Sequence, residues 1–228
     1  MIATEDQQAL VREAARALGR NGLVHAYGHC SMRLDRDRFL VCASMPMGMI
    51  EGEAGTVVPI VGALPDGVLG EVRIHQAIYA RRDDVRGICR IMPPALMSLS
   101  TQGIVPAARH GIGAYFSPGP AFWDDPRLLR DDGLAAGLAD RLGQLNAIVM
   151  RGNGAVVVGD CIRQAVVLSW FLEDAARVER DVRAAGSPDT GLLDPQEIAD
   201  RQVWGGGVVE RMWSWLGRAA GMDNMANR

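Results

Sequence analysis

Hydrophobic and polar positions along this chain recur with two periods, and segments of the two kinds are interleaved. Thr4-Glu5-Asp6-Gln7 has the form of a capping box. Behind it Leu10, Val11, Ala14, Ala15 and Leu18 share one helical face, and Asn21-Gly22 supplies a stop. Residues 39–42 read as a strand, and the Gly-, Pro- and Met-rich stretch 45–70 as loops and short strands. A helix is expected over 71–82, a buried strand over 85–92 closed by Pro93-Pro94, and a helix over 128–142. Residues 146–150 and 155–159 read as strands around the turn Arg151-Gly152-Asn153-Gly154. A long amphipathic helix follows over 162–185, with Asp160 as its cap and Gly186 as its stop. Asp194-Pro195-Gln196-Glu197 opens another helix, Gly205-Gly206-Gly207 ends it, and a last segment carries Trp213 and Trp215.

This mixture predicts an α/β or α+β chain, with helices on both sides of one sheet. The 228 residues suffice for a full hydrophobic core. With 24 basic and 27 acidic groups, the net charge of -3 argues against nucleic acid as partner. No apolar run reaches the roughly 20 residues that span a bilayer, so no membrane association is expected. Cys30, Cys42, Cys89 and Cys161 are widely spaced and read as reduced thiols of a cytoplasmic protein. Every basic residue is arginine. Without lysine, Schiff-base chemistry on the chain and a Walker-type phosphate loop are both excluded.

Three positions depart from local rules. Glu71 and His75 are four apart, which places carboxylate and imidazole on one helix face; a surface pair with a first-turn acid explains them equally well. Arg90 shares a strand face with Ile88 and Met92, while Cys89 and Ile91 take the other. Both faces are otherwise apolar, so the guanidinium needs a carboxylate partner, unless it reaches solvent past the Pro-Pro turn. The Asn153-Gly154 turn is explained by hairpin geometry alone. The histidines (His25, His29, His75, His110) form neither an HxH nor an HExxH pair, and His25 and His29 fall in a glycine-containing loop.

Taken in order, several stretches resemble the class II aldolase/adducin family: residues 18–24, Gly28-His29-Cys30-Ser31-Met32-Arg33, Glu71 to Tyr79, Asp84-Val85 with Arg90 to Pro94, 150–159, and Leu172 to Ala176. The resemblance spans roughly residues 5–200, and the 133–159 stretch is most similar to the branch that decarboxylates hydroxylated aromatic acids. It implies an α/β/α sandwich around a single, mostly antiparallel sheet. A family domain would cover 1–190, and a helical tail over 191–228 would pack on it or on a neighbouring subunit. It also implies a homotetramer.

Members of the family typically bind a divalent metal through an HxH pair, a turn histidine and a helix glutamate. Carried over, the glutamate is Glu71, but the three histidine positions hold Arg90, Met92 and Asn153. Arginine does not ligate, thioether suits hard ions poorly and an amide oxygen is weak alone, so no metal cofactor is expected. The serines that precede the glutamate in the phosphate-using branch are Leu69 and Gly70, which argues against a phosphorylated substrate. The resemblance thus implies a metal-independent lyase for a small carboxylated or phenolic substrate, working by decarboxylation, retro-aldol cleavage, elimination or a related cyclisation. Arg90 would replace the metal's charge, with Glu71 and His29 moving protons. Asn153, Met92, His110 (matching a cleft histidine of the decarboxylase branch) and Tyr115 would contact substrate. Two alternatives stand beside it: a silent adducin-like scaffold with a structural Arg90–Glu71 bridge, and a metal enzyme with a relocated site at His29, His110 and Glu71.

Overall fold

The protein's structure, a computed structural model, describes residues 3–219. Seven strands, β1 (His29–Arg33), β2 (Arg38–Val41), β3 (Thr56–Pro59), β4 (Gly87–Ile91), β5 (Ala121–Trp123), β6 (Ala147–Met150) and β7 (Ala155–Gly159), form one sheet in the order β3-β2-β1-β4-β7-β6-β5. All neighbours are antiparallel except β5 and β6. Helices α1 (Glu5–Arg20), α3 (Pro94–Ser100) and α5 (Ile162–Ala184) cover one face, and α2 (Arg73–Arg81) and α4 (Asp132–Leu142) the other. Two C-terminal helices follow, α6 (Pro195–Arg201) and α7 (Val208–Ala219).

Because both faces are covered, the central strands are apolar on both sides. In β4, Cys89 and Ile91 pack with Leu18, Leu96 and Val166, whereas Ile88 packs with Ile74, Ile78 and Leu138. Arg90 therefore lies on the α2/α4 face, at the end of a fully buried strand. α1 has the expected capping box, and Gly22 beyond it takes φ +72°. α6 likewise opens on an Asp194/Glu197 capping box with Pro195 in its first turn.

Several boundaries differ from expectation. α5 is capped by the Cys161 sulfur, which accepts from the Gln164 N–H, and Asp160 lies one residue outside. α4 starts at Asp132 because the Asp131 carboxylate caps Leu134, leaving 128–131 outside the helix. The glutamate at 71 sits in a 3-10 turn, Gly70–Val72, that precedes α2. Strands β1 and β5 and helix α3 emerge where none was expected. α3 has no cap of its own; the buried Glu173 carboxylate of α5 accepts from the N–H groups of Ala95 (3.1 Å) and Leu96 (3.0 Å).

The tryptophans of the C-terminal segment pack within the chain. Trp204 lies 4.6 Å from the Tyr115 ring and Trp215 meets Trp170 edge-on, while Trp213 sits under the Arg163 guanidinium. Leu216 is fully buried in the α1/α5 core. Among the described residues the cysteines are unpaired, and no helix is long and apolar enough to cross a membrane.

Candidate active site

The β1–β4 register puts His29 opposite Arg90, with both side chains on the sheet face beneath α2. Two glycines allow the backbone to close around the guanidinium. At Gly28 (φ +138°) a Cβ would stand 2.9 Å from the Arg90 carbonyl oxygen and 2.7 Å from the Val24 side chain. At Gly154 (φ +74°) it would stand 2.0 Å from the Ile91 carbonyl oxygen. Only a chain without Cβ there can fold the β6–β7 turn over the end of β4 and deliver Asn153 to Arg90.

Arg90 is 2% exposed. Its Nη1 donates to the Ile91 carbonyl (2.9 Å), its Nη2 donates to Asn153 Oδ1 (2.8 Å), and its Nε lies 3.6 Å from Glu71 Oε2. Burial lowers the guanidinium pKa, and the Glu71 charge opposes that shift. The group stays charged, as arginine does in proteins. His29 is also buried, with Nδ1 3.0 Å from His75 Nε2; His75 Nδ1 is 2.6 Å from Ser31 Oγ, which is 3.0 Å from the Tyr79 hydroxyl. Burial, the neighbouring His75 and the Arg90 charge hold the His29 pKa well below its usual value. Burial and Arg90 bring His75 down to about 3. Both imidazoles are thus neutral at ordinary pH.

Five buried side-chain nitrogen or oxygen atoms lack a hydrogen-bond partner among the described residues, and four of them belong to this cluster: His29 Nε2, Glu71 Oε1, Arg90 Nε and Asn153 Nδ2. Their four residues line one cavity of about 530 Å³, together with Met92, Tyr27, Leu69, Leu128 and Arg130. An unsatisfied buried polar group costs about 1–3 kcal/mol. Four around one hollow are therefore the signature of a binding site.

The donors gathered here do not fit a divalent ion. One carboxylate, one imidazole, one amide and one thioether surround a permanent cation, and no three His, Cys, Asp or Glu side chains are placed to hold a metal among the described residues.

The structure brings Glu71, Arg90, His29, Asn153 and Met92 together, but it does not bring His110 or Tyr115 to this cavity. His110 Nε2 pairs with Asp174 Oδ2 of α5 (2.9 Å) and its Nδ1 accepts from the Gly113 N–H. The relocated metal set of His29, His110 and Glu71 is consequently not assembled. Tyr115 donates to the Val203 carbonyl (2.5 Å) and packs between Phe171 and Trp204, anchoring the C-terminal segment beside a separate hollow of about 230 Å³. His75 faces β1 and not Glu71, so the surface-pair reading of that spacing is corrected. Motif reading alone does not assign Ser31, Tyr79 and Arg130 to the site; the polar face His29-Ser31-Arg33 of β1 is the signal that identifies the first of them.

A model of the Class II Aldolase and Adducin N-terminal domain matches residues 9–179. The 3,4-dihydroxyphthalate decarboxylase of Terrabacter sp. (strain DBF63) is 26% identical over 208 residues, covering 82% of this chain and 85% of the relative. Beta-adducin of Homo sapiens is 27% identical over 128 residues, covering 54% of this chain and 17% of that protein. Among solved structures, an aldolase II superfamily protein from Pseudomonas syringae matches with TM-score 0.77 and 23% identity, covering 96% of this chain and 95% of that one. An L-fuculose 1-phosphate aldolase from Glaciozyma antarctica PI12 matches with TM-score 0.75 and 22% identity, covering 97% and 94%. The structural matches establish the shared fold.

Proposed function

The chain belongs to the class II aldolase and adducin family, and on that premise we propose that it is a metal-independent lyase for a small, non-phosphorylated substrate bearing a carboxylate or phenolic oxygen. The observation that carries this reading is the buried Arg90 guanidinium, its Nε 3.6 Å from Glu71 Oε2 and without a hydrogen bond, on the wall of an open cavity that both residues line. In decarboxylation, retro-aldol cleavage or elimination, the electron pair of the breaking bond is drawn towards a conjugated oxygen. A fixed, buried guanidinium stabilises the charge developing there. Glu71 carries the proton that the reaction consumes or releases, and His29 and Asn153 Nδ2 supply further hydrogen-bonding groups to the same oxygen-rich substrate.

The relatives that decarboxylate a dihydroxylated aromatic diacid support this substrate class, and the apolar flank of Met92, Leu69 and Leu128 suits a ring. Leu69 and Gly70 offer no hydroxyl to a phosphate. Exposed Tyr27, Leu69 and Leu128 at the mouth support a homo-oligomer, a tetramer by family resemblance, in which a neighbour covers the rim. A silent scaffold would instead gain most from a sealed Arg90–Glu71 pair; here both residues keep unpartnered atoms on the cavity.

Turnover of carboxylated phenols, followed by loss of absorbance and release of carbon dioxide, tests the reading. Glu71→Gln is expected to lower kcat by about 10²–10⁴-fold with the melting profile preserved. An equal rate in wild type and variant would refute it.

A further inference from the structure

Ser31, His75 and Tyr79 do not line the cavity, yet they continue the hydrogen-bonded chain that begins at His29. We propose that these three are positioning residues that hold His29 in the tautomer with its proton on Nε2, so that His29 presents a fixed N–H donor to the substrate oxygen held by Arg90.

The chain can be satisfied with either polarity, and the distances choose between them. In one, the Tyr79 hydroxyl donates to Ser31 Oγ (3.0 Å), Ser31 donates to His75 Nδ1 (2.6 Å), and His75 Nε2 donates to His29 Nδ1 (3.0 Å). The His29 proton then stands on Nε2, the atom left without a protein partner at the cavity. In the other, each donor is reversed and the Tyr79 proton must go to the Ser31 carbonyl at 3.3 Å, the longest contact of the set. Hydroxyl donors make shorter bonds than N–H donors, so 2.6 Å is the length expected when the serine donates. The first polarity is therefore preferred.

The chain also ends blind. Tyr79 is 1% exposed, packed against Phe39 at 5.0 Å and covered by the Arg33 guanidinium at 4.7 Å from its ring centroid. Burial pushes its phenol well above the usual value, so it does not release a proton into the chain. His29 consequently donates a hydrogen bond without passing a proton on, and Glu71 is left as the proton carrier. With Arg90 Nε–H and Asn153 Nδ2, the His29 Nε2–H makes three donors without a hydrogen bond around one such acceptor, Glu71 Oε1. That set matches a ligand with an anionic oxygen beside a hydroxyl.

The use of the donor on substrate rests on the lyase reading, but the tautomer does not, so the two fail separately. Long-range 1H–15N correlation of the histidine-labelled full-length protein, with His29 assigned from His29→Gln, reads the tautomer directly without ligand. His29 is expected to show a protonated Nε2 and an unprotonated Nδ1 from about pH 5 to about pH 8. Ser31→Ala, which removes one buried oxygen, should convert this into a mixture of both tautomers, and Ser31→Thr should restore it. A protonated Nδ1 in the wild type, an imidazolium in this range, or a spectrum indifferent to Ser31→Ala would overturn the proposal. A correct tautomer in a protein that turns over no carboxylated phenol would overturn the lyase reading instead.

Discussion

Arg90→Met is expected to reduce turnover by about 10²–10³-fold, the loss typical of removing one preorganised donor from a site of charge development. Methionine fills a similar volume, so the cavity keeps its wall while losing its permanent charge. The Ile91 carbonyl and Asn153 Oδ1 each lose a donor, which costs about 1–3 kcal/mol of stability. The cost is limited because Glu71, 18% exposed at its side chain, can be solvated from the cavity once its partner is gone. Arg90→Lys would be the only lysine in the chain. It retains the charge but cannot reach Ile91, Asn153 and substrate from one planar fork, so its rate should lie between wild type and Arg90→Met. Steady-state kinetics paired with thermal melting separates the loss of chemistry from the smaller loss of stability.

The largest stability effect is expected away from the cavity, at Glu179. This α5 carboxylate is fully buried and accepts from Arg109 Nε (2.7 Å), Arg183 Nε (2.5 Å) and the Ala107 N–H (3.3 Å). Arg109 in turn donates to the carbonyls of Pro188 and Thr190, so one carboxylate ties the segment before Gly111 to the loop after α5. Removing one partner of a buried pair leaves an uncompensated charge, and Glu179→Ala should cost about 3–5 kcal/mol in urea unfolding. Burial alone would raise the Glu179 pKa, but the bonds from Arg109, Arg183 and Ala107 outweigh it and the net shift is downward. A carboxyl depressed in the folded state contributes stability above its unfolded pKa of about 4.3, and that contribution is lost as pH falls through the folded value. Wild type should therefore lose stability on acidification below about pH 4 more steeply than Glu179→Gln. Binding at the cavity should be unaffected, since Glu179 does not line it.

How far the sequence reveals such features depends on how local their cause is. Caps of α1 and α6 are written in four consecutive residues and appear as expected. The two-sided apolar character of β4 exposes Arg90 as a misfit before any tertiary contact is known. β1 is harder to see because its polar face, His29-Ser31-Arg33, is buried for the sake of hydrogen bonds, and beside Gly28 the pattern looks like a loop. α3 is hidden because its cap comes from Glu173, more than seventy residues away. Sequence spacing gives His75 the wrong neighbour for a related reason. Helical spacing points it at Glu71, but the register of β1 under α2 gives it His29 and Ser31. His110 and Tyr115 carry the right chemistry for a cleft, yet the packing of 110–116 against α5 and α6 commits them to Asp174 and Val203.

On the proposed lyase reading, Arg90 itself supplies the charge on which the reaction depends. The most direct measurement is the metal content of the purified protein, taken together with its turnover before and after dialysis against a strong chelator. Far less than one transition ion per chain, and the same rate in both samples, is the expected result. One tightly held ion per chain, whose removal abolishes turnover and whose return restores it, would contradict it.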